Sequence, residues 1–185
     1  MYILTDVDDT VLEFGDSFQK WAEDHGHVPR GRVREVGDIA TVFDMETDDG
    51  IVEDYFHAAA FGEMTPEPDA LDVLPRLHKL GVKFVAITAC SDHPNVIAKR
   101  TRNLEEVFGF KWEAIHCTGV HRPKVTLLSA YKPSIWVEDN PIHAVVGAEL
   151  GHQTFLLDRP YNQSLIHPKV SRIVDWYEIE KWISV

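Results

Sequence analysis

The sequence predicts an α/β fold: a parallel sheet covered by helices on both faces, three layers in all, with a small helical insertion after the first strand. Three observations predict it. Short apolar runs rich in Val, Ile, Phe and Leu recur along the chain, as expected of strands buried on both faces. Helix-like segments separate most of them, and strands alternating with helices imply parallel pairing. Residues 15–66 break the alternation, with no strand-like run of comparable quality.

The strand-like runs are Tyr2 to Val7, Val82 to Thr88, Ala114 to Thr118, Ser134 to Val137 and Thr154 to Leu157. Glu67 to Leu80 reads as a helix, with Leu71, Leu74, Leu77 and Leu80 at helical spacing and Gly81 just past its end. Pro75 inside it either kinks the helix or marks where its regular part begins. Asn95 to Phe108 and Pro141 to Leu150 read as two more helices. Asp175 to Ile183 is a terminal one, with Trp176, Tyr177 and Trp182. The insertion has an amphipathic stretch at Ser17 to Asp24, a basic segment at Arg30 to Arg34 and an aromatic stretch at Tyr55 to Phe61. Between them, Asp44 to Gly50 alternates acids somewhat like a calcium loop. Its glycine is one position late, so it reads as a solvated acidic loop.

A chain of 185 residues holds one domain with a sizeable core. With 18 Lys+Arg against 30 Asp+Glu, the net charge of -12 repels nucleic-acid polymers and anionic membranes. A small anionic substrate stays open, because a metal ion and a few donors invert the field inside a cleft. Cys90 and Cys117 lie in or beside apolar stretches with no CxxC neighbour; buried free thiols are expected, and no zinc site. No leader-like pattern opens the chain, and no apolar run approaches the roughly 20 residues of a membrane helix. A cytoplasmic location is the default expectation, with no membrane or nucleic-acid partner. The ten histidines show no close metal spacing. His57, His93 and His143 are candidates for lining a cleft, although structural or surface roles are the simpler reading.

In open parallel sheets, ligands bind outside the carboxyl ends of the strands. The first run ends in Asp6-Val7-Asp8. One carboxylate there can bind a hard cation and attack phosphorus, while the other handles protons; taken alone, the pair fits a turn equally well. The second run ends in Thr88, followed by Ala89. A hydroxyl and adjacent backbone amides can hold a phosphoryl oxygen there, or the Thr simply caps a helix. Lys124 follows the third run and is placed to neutralise a phosphate; Lys132, beside Pro133, fits a surface turn better. The fourth run ends in Glu138-Asp139. Two neighbouring strand ends with two acids each repel one another unless a cation lies between them.

The ordered set Asp6-Val7-Asp8-Asp9-Thr10, Thr88, Lys124 and Glu138-Asp139 resembles the four motifs of the haloacid dehalogenase-like (HAD) superfamily, across almost the whole chain. The resemblance implies a Rossmann-like core at 1–14 and 67–185, with a C1-type cap at 15–66. It implies a Mg2+-dependent phosphomonoesterase acting on a small phosphorylated substrate. Asp6 would be the nucleophile and Asp8 the acid and base. Thr88, Ala89 and Lys124 would bind the phosphoryl group. Asp6, Asp139 and the Asp8 carbonyl would bind magnesium, with Glu138 a ligand directly or through water. The tail Leu156 to Asn162, with Arg122 two residues before Lys124, is similar to the 5'(3')-deoxyribonucleotidase group, which implies a nucleoside monophosphate. Phe18, Trp21, Phe43 and Phe56 would then stack on a base or form the core of the cap. Asp9-Thr10 in place of the group's Gly-Val, and Glu138 in place of Asp, depart from its pattern. Another small metabolite such as a sugar phosphate is the alternative substrate. A homodimer is left open.

Overall fold

A computed structural model describes residues 1–119 and 122–184; Val120 and His121, in the loop before Lys124, lie outside the described residues. The chain runs β1 (Tyr2–Thr5), α1 (Phe14–Asp24), α2 (Val33–Val36), α3 (Ile39–Phe43), α4 (Asp49–His57), a 3-10 turn (Ala60–Glu63) and α5 (Pro68–Lys79). It continues through β2 (Lys83–Thr88), α6 (Pro94–Phe108), β3 (Ala114–Cys117), α7 (Val125–Leu128), β4 (Ile135–Glu138) and α8 (Pro141–Glu149). It ends with β5 (Gln153–Leu157), a second 3-10 turn (Pro160–Asn162), β6 (Val170–Ile173) and α9 (Trp176–Ile183).

The strands form one parallel sheet in the order β3-β2-β1-β4-β5-β6. Alternate strand residues enter two separate cores, as the two-residue repeat of a strand requires. Ile3, Phe84, Ala86, Ile135 and Val137 join the larger core with residues of α5, α6 and α9. Leu4, Val85, Ile87 and Trp136 join a smaller one, against Leu128 of α7 and Val146 of α8. This is the three-layer α/β fold the alternation predicts. Inserted residues such as Phe18, Val42 and Tyr55 are continuous with the larger core, and α6 clamps the insertion. Lys99 Nζ donates to Ala58 O at 2.8 Å, and Asn103 Nδ2 donates to Met64 O at 3.0 Å.

Several elements differ from the sequence reading. β6 follows β5, so Leu156 to Asn162 is not the end of the sheet. β6 is an edge strand with Ser171 and Arg172 exposed, so it lacks the apolar run that marks a buried strand. The buried stripe of α5 is Ala70, Val73, Leu74 and Leu77, whereas Leu71 and Leu80 face solvent. The helix continues through Pro75, whose ring deprives the Leu71 carbonyl of a partner at an exposed residue. Cys90 is buried, Cys117 is half-buried, and both are free. The acidic segment turns through Asp44 at φ 56° and enters α4 at Asp49. No helix among the described residues is long and apolar enough to cross a membrane.

Gly147 lets α8 lie against the sheet: an added Cβ would sit 2.3 Å from Trp136 Cδ1. An exposed helical Gly→Ala gains about 1 kcal/mol of helix propensity. Overpacking a core costs about 1–3 kcal/mol and wins here. Gly147→Ala is therefore expected to lower the urea-unfolding free energy, and an unchanged or raised value would contradict this packing.

Candidate active site

β1 and β4 are neighbours because the strand order reverses at β1, and ligand crevices form at such switch points. The Asp6 amide donates to Val137 O at 2.9 Å, which carries the pairing one residue beyond the strand. Asp6 thereby emerges beside Glu138 and Asp139. Lys124 is 1% exposed; its Nζ lies 2.7 Å from Asp6 Oδ1 and 2.9 Å from Glu138 Oε2. Burial would raise the Asp6 carboxyl, but the charge and hydrogen bond of Lys124 outweigh it and hold it below its ordinary value. Burial would equally lower the Lys124 ammonium, but Asp6 and Glu138 hold it above its own.

Asp8 is fixed at both oxygens. Oδ1 lies 2.5 Å from Arg100 Nη2, and Oδ2 accepts from Thr88 Oγ1 at 3.4 Å. Burial raises its carboxyl, and Arg100 only partly offsets this. Asp9 adopts φ 52°, a left-handed backbone that Asp tolerates when its carboxyl bonds locally. Here Asp9 Oδ1 accepts from the Gly15 amide at 2.9 Å, while Arg159 Nε and Nη2 donate to the Asp9 carbonyl at 3.0 and 2.7 Å. Burial and then the nearby Asp139 push the Asp9 carboxyl up to about 8.

Asp139 is oriented from both sides. Thr10 Oγ1 donates to Oδ1 at 3.1 Å, Tyr161 OH donates to Oδ2, and Asn162 Nδ2 donates to its carbonyl at 2.7 Å. Tyr161 reaches it past Gly37, at φ 72°, where a Cβ would stand 2.5 Å from the Tyr161 ring. Burial and the Asp6 charge raise the Asp139 carboxyl against that hydrogen bond, and they raise Glu138 well above its ordinary value.

One oxygen each from Asp6, Glu138 and Asp139 lies within 4.8 Å of the others. This all-oxygen set fits a hard cation. Burial and the Asp6 charge raise Glu138 and Asp139 of this set, the like-charge strain that a cation would relieve. The three do not offer themselves equally. Glu138 Oε2 is engaged by Lys124, and Oε1 accepts from the Asp139 and Asn140 amides at 3.2 and 3.1 Å. Asp6 Oδ1 faces the Lys124 ammonium at 2.7 Å.

Asp6, Asp8, Ala89, Lys124 and Asp139 line one cavity of about 370 Å³. Thr88 and Glu138 are fully buried behind it. Two expected substrate contacts are corrected. Phe18 is fully buried, stacked on Phe14 and edge-on to Phe43 and Tyr55; Phe14, one turn earlier, lines the cavity instead. The Arg122 side chain is 73% exposed and pairs with Asp92 at 3.1 Å, turned to the surface. Of the three histidines only His143 lines the cavity; His57 and His93 pack on each other, with ring centroids 5.1 Å apart.

Sequence reading missed Arg100 and the partners of Asp139, Thr10 and Tyr161. Arg100 carried a signal: it falls on the buried face of α6 with Val96, Asn103 and Leu104, where a charge needs a partner.

No family model matches the sequence, and no curated protein does. Solved structures do match. The HAD-hydrolase YfnB from Bacillus subtilis, bound to magnesium, shares 17% identity over 100% of this chain and 98% of that one, with a TM-score of 0.60. The L-2-haloacid dehalogenase from Xanthobacter autotrophicus, with chloropropionic acid covalently bound, shares 10% over 99% and 98%, TM-score 0.62. D,D-heptose 1,7-bisphosphate phosphatase from Burkholderia thailandensis shares 11% over 100% and 99%, TM-score 0.58. At these identities the likeness is one of fold: the chain has the HAD-like α/β fold.

The raised carboxyls set a pH dependence. A group raised by folding gives its full stability below its ordinary value, 3.8 for Asp9, and loses it as pH rises through the folded value of about 8. Asp8, Glu138 and Asp139 act in the same direction. Asp6, being lowered, loses its contribution only in stronger acid. The metal-free chain is expected to melt lower at pH 8 than at pH 5, and a divalent cation to raise the melting temperature more at pH 8. Equal cation-induced shifts at both pH values would count against the acidic cluster as the binding site.

Proposed function

We propose that the chain is a hydrolase, a magnesium-dependent phosphomonoesterase in which Asp6 attacks phosphorus and is transiently phosphorylated. The observation that carries this is the Asp6 carboxylate: buried at the floor of the cavity and held ionised by the Lys124 ammonium 2.7 Å away. Such a carboxylate is a ready nucleophile. Asp8, with its raised proton affinity, suits delivery of a proton to the leaving oxygen and its later removal from water. The backbone at Ala89 holds phosphoryl oxygens, Thr88 steadies Asp8, and Lys124 neutralises the reacting group. Asp6, Asp139 and the main-chain oxygen of Asp8 would hold the metal. Glu138, with both oxygens engaged, anchors Lys124. When bound, magnesium neutralises charge between nucleophile and phosphate; the magnesium-bound relative of the same fold supports that choice.

The rest of the cavity bears on the substrate. Phe14, Val33, Val36 and Ile39 from residues 14–66 form one wall and Ile142 another, while Lys124 is the one ammonium or guanidinium among the lining residues. That composition supports a single phosphate on a leaving group with an apolar face, such as a nucleoside, over a polyhydroxylated sugar. Residues 15–66 would act as the cap that selects it. The dehalogenases of the same fold favour a second reading, displacement of halide from a 2-haloacid by Asp6. The presence of Asp8, a second carboxyl for protonating an oxygen leaving group, favours the phosphatase.

A screen over nucleoside monophosphates, sugar phosphates and 2-haloacids, with and without magnesium, tests the proposal. Magnesium-dependent phosphate release, greatest from a nucleoside monophosphate, is expected; halide release alone would overturn it. Asp6→Asn should lose on the order of 10³-fold or more in kcat, the scale of removing a covalent nucleophile. Asp139→Ala should raise the magnesium requirement by about tenfold or more. Retained Asp6→Asn activity or unchanged metal dependence would refute the corresponding role.

A further inference from the structure

Arg100 places a charge on the buried face of α6 and is fully buried. Among the described residues, Asp8 is the one carboxylate it pairs with. The Phe61 ring, from the insertion, covers the guanidinium with its centroid 4.3 Å away. Nε and Nη1 have no oxygen or nitrogen partner, and the Cys90 thiol, a weak acceptor, is the other group the guanidinium meets. Taking a guanidinium out of water is costly, and well-packed apolar groups often serve stability as well or better. A buried cation whose remaining donors meet at best a thiol is therefore poorly explained by packing alone. Its one strong contact is to a group placed to handle protons.

Asp8 has a reason to need it. Asp6, two residues before it, and the adjacent Asp9 line the same cavity as Asp8. Like-charge repulsion would drive the Asp8 carboxylate away from the nucleophile. Resting on the phosphomonoesterase reading above, we infer that Arg100 is the positioning residue for the acid and base of the reaction. It grips Asp8 Oδ1 and leaves Oδ2, whose contact to Thr88 is the longer at 3.4 Å, to exchange a proton with the ester oxygen. The same helix is bonded to the insertion through Lys99 and Asn103. Docking of the insertion and the aim of Asp8 thus share one support.

The test uses two esters and reads kcat/KM, which reports steps up to the first leaving-group departure. A nucleoside monophosphate expels an alkoxide that needs a proton; p-nitrophenyl phosphate expels a phenolate that does not. Arg100→Met is expected to lower kcat/KM by on the order of 10²-fold for the nucleotide and by less than about 3-fold for the aryl ester. In an Asp8→Asn background the same substitution should change the ratio of the two no further. Arg100→Lys, a cation without the planar fork, should give an intermediate ratio; it also serves if the Met variant does not fold. Equal losses on both esters in a folded variant, or a full further loss in the Asp8→Asn background, would overturn the inference. Wild-type protein that releases phosphate from neither these esters nor a sugar phosphate would instead remove the phosphomonoesterase reading, and the inference with it.

Discussion

The site depends on one buried ammonium between two buried acids. Lys124 meets Asp6 at the end of β1 and Glu138 at the end of β4, on adjacent strands. Without it, two carboxylates would face each other away from water, and one would have to take up a proton. With it, Asp6 stays ionised, and Glu138 is fixed by Lys124 and two backbone amides. The remaining charge is not balanced in the same way. Arg100 takes Asp8, and Arg159 addresses only the backbone of Asp9. Asp9 and Asp139 are left with proton affinities raised by burial. That surplus is what a hard cation would relieve.

The fold supplies this arrangement through the parallel sheet. β1 lies where the strand order reverses, so its carboxyl end opens beside β4 with no crossover above it. The second 3-10 turn, just after β5, closes the far side: Tyr161 and Asn162 orient Asp139 while Arg159 holds the Asp9 peptide. On the near side Phe14, just before the insertion, and Val33 and Ile39 within it reach the cavity. Trp176 of α9 donates from Nε1 to the Thr10 carbonyl at 2.9 Å, so the last helix braces the loop that carries Asp8 and Asp9.

Much of this was legible in the sequence. Apolar runs ending in Asp6, Thr88 and Glu138 identified three strands and the side on which the chemistry lies, because buried strands must be apolar and strand ends need not be. β6 was illegible because an edge strand with exposed Ser171 and Arg172 has no apolar run. Phe18 was expected against substrate and lies in the core of the insertion; spacing alone does not tell which aromatic of a helix turns inward. Arg122 stands two residues from Lys124, yet its side chain points to Asp92 at the surface, since neighbours in a loop need not share a direction. Arg100 and Thr10 act across 92 and 129 residues of chain, a separation no local pattern encodes.

The central claim is that the Asp6 carboxylate forms a covalent bond to phosphorus. Reduction with borohydride during turnover of a phosphomonoester, followed by peptide mass analysis, tests it most directly, because an aspartyl-phosphate is reduced to homoserine and a free aspartate is not. Homoserine at position 6, formed only with substrate and absent in the Asp8-containing Asp6→Asn variant, is the result expected. Turnover that leaves position 6 unmodified, or that marks another residue instead, would contradict it.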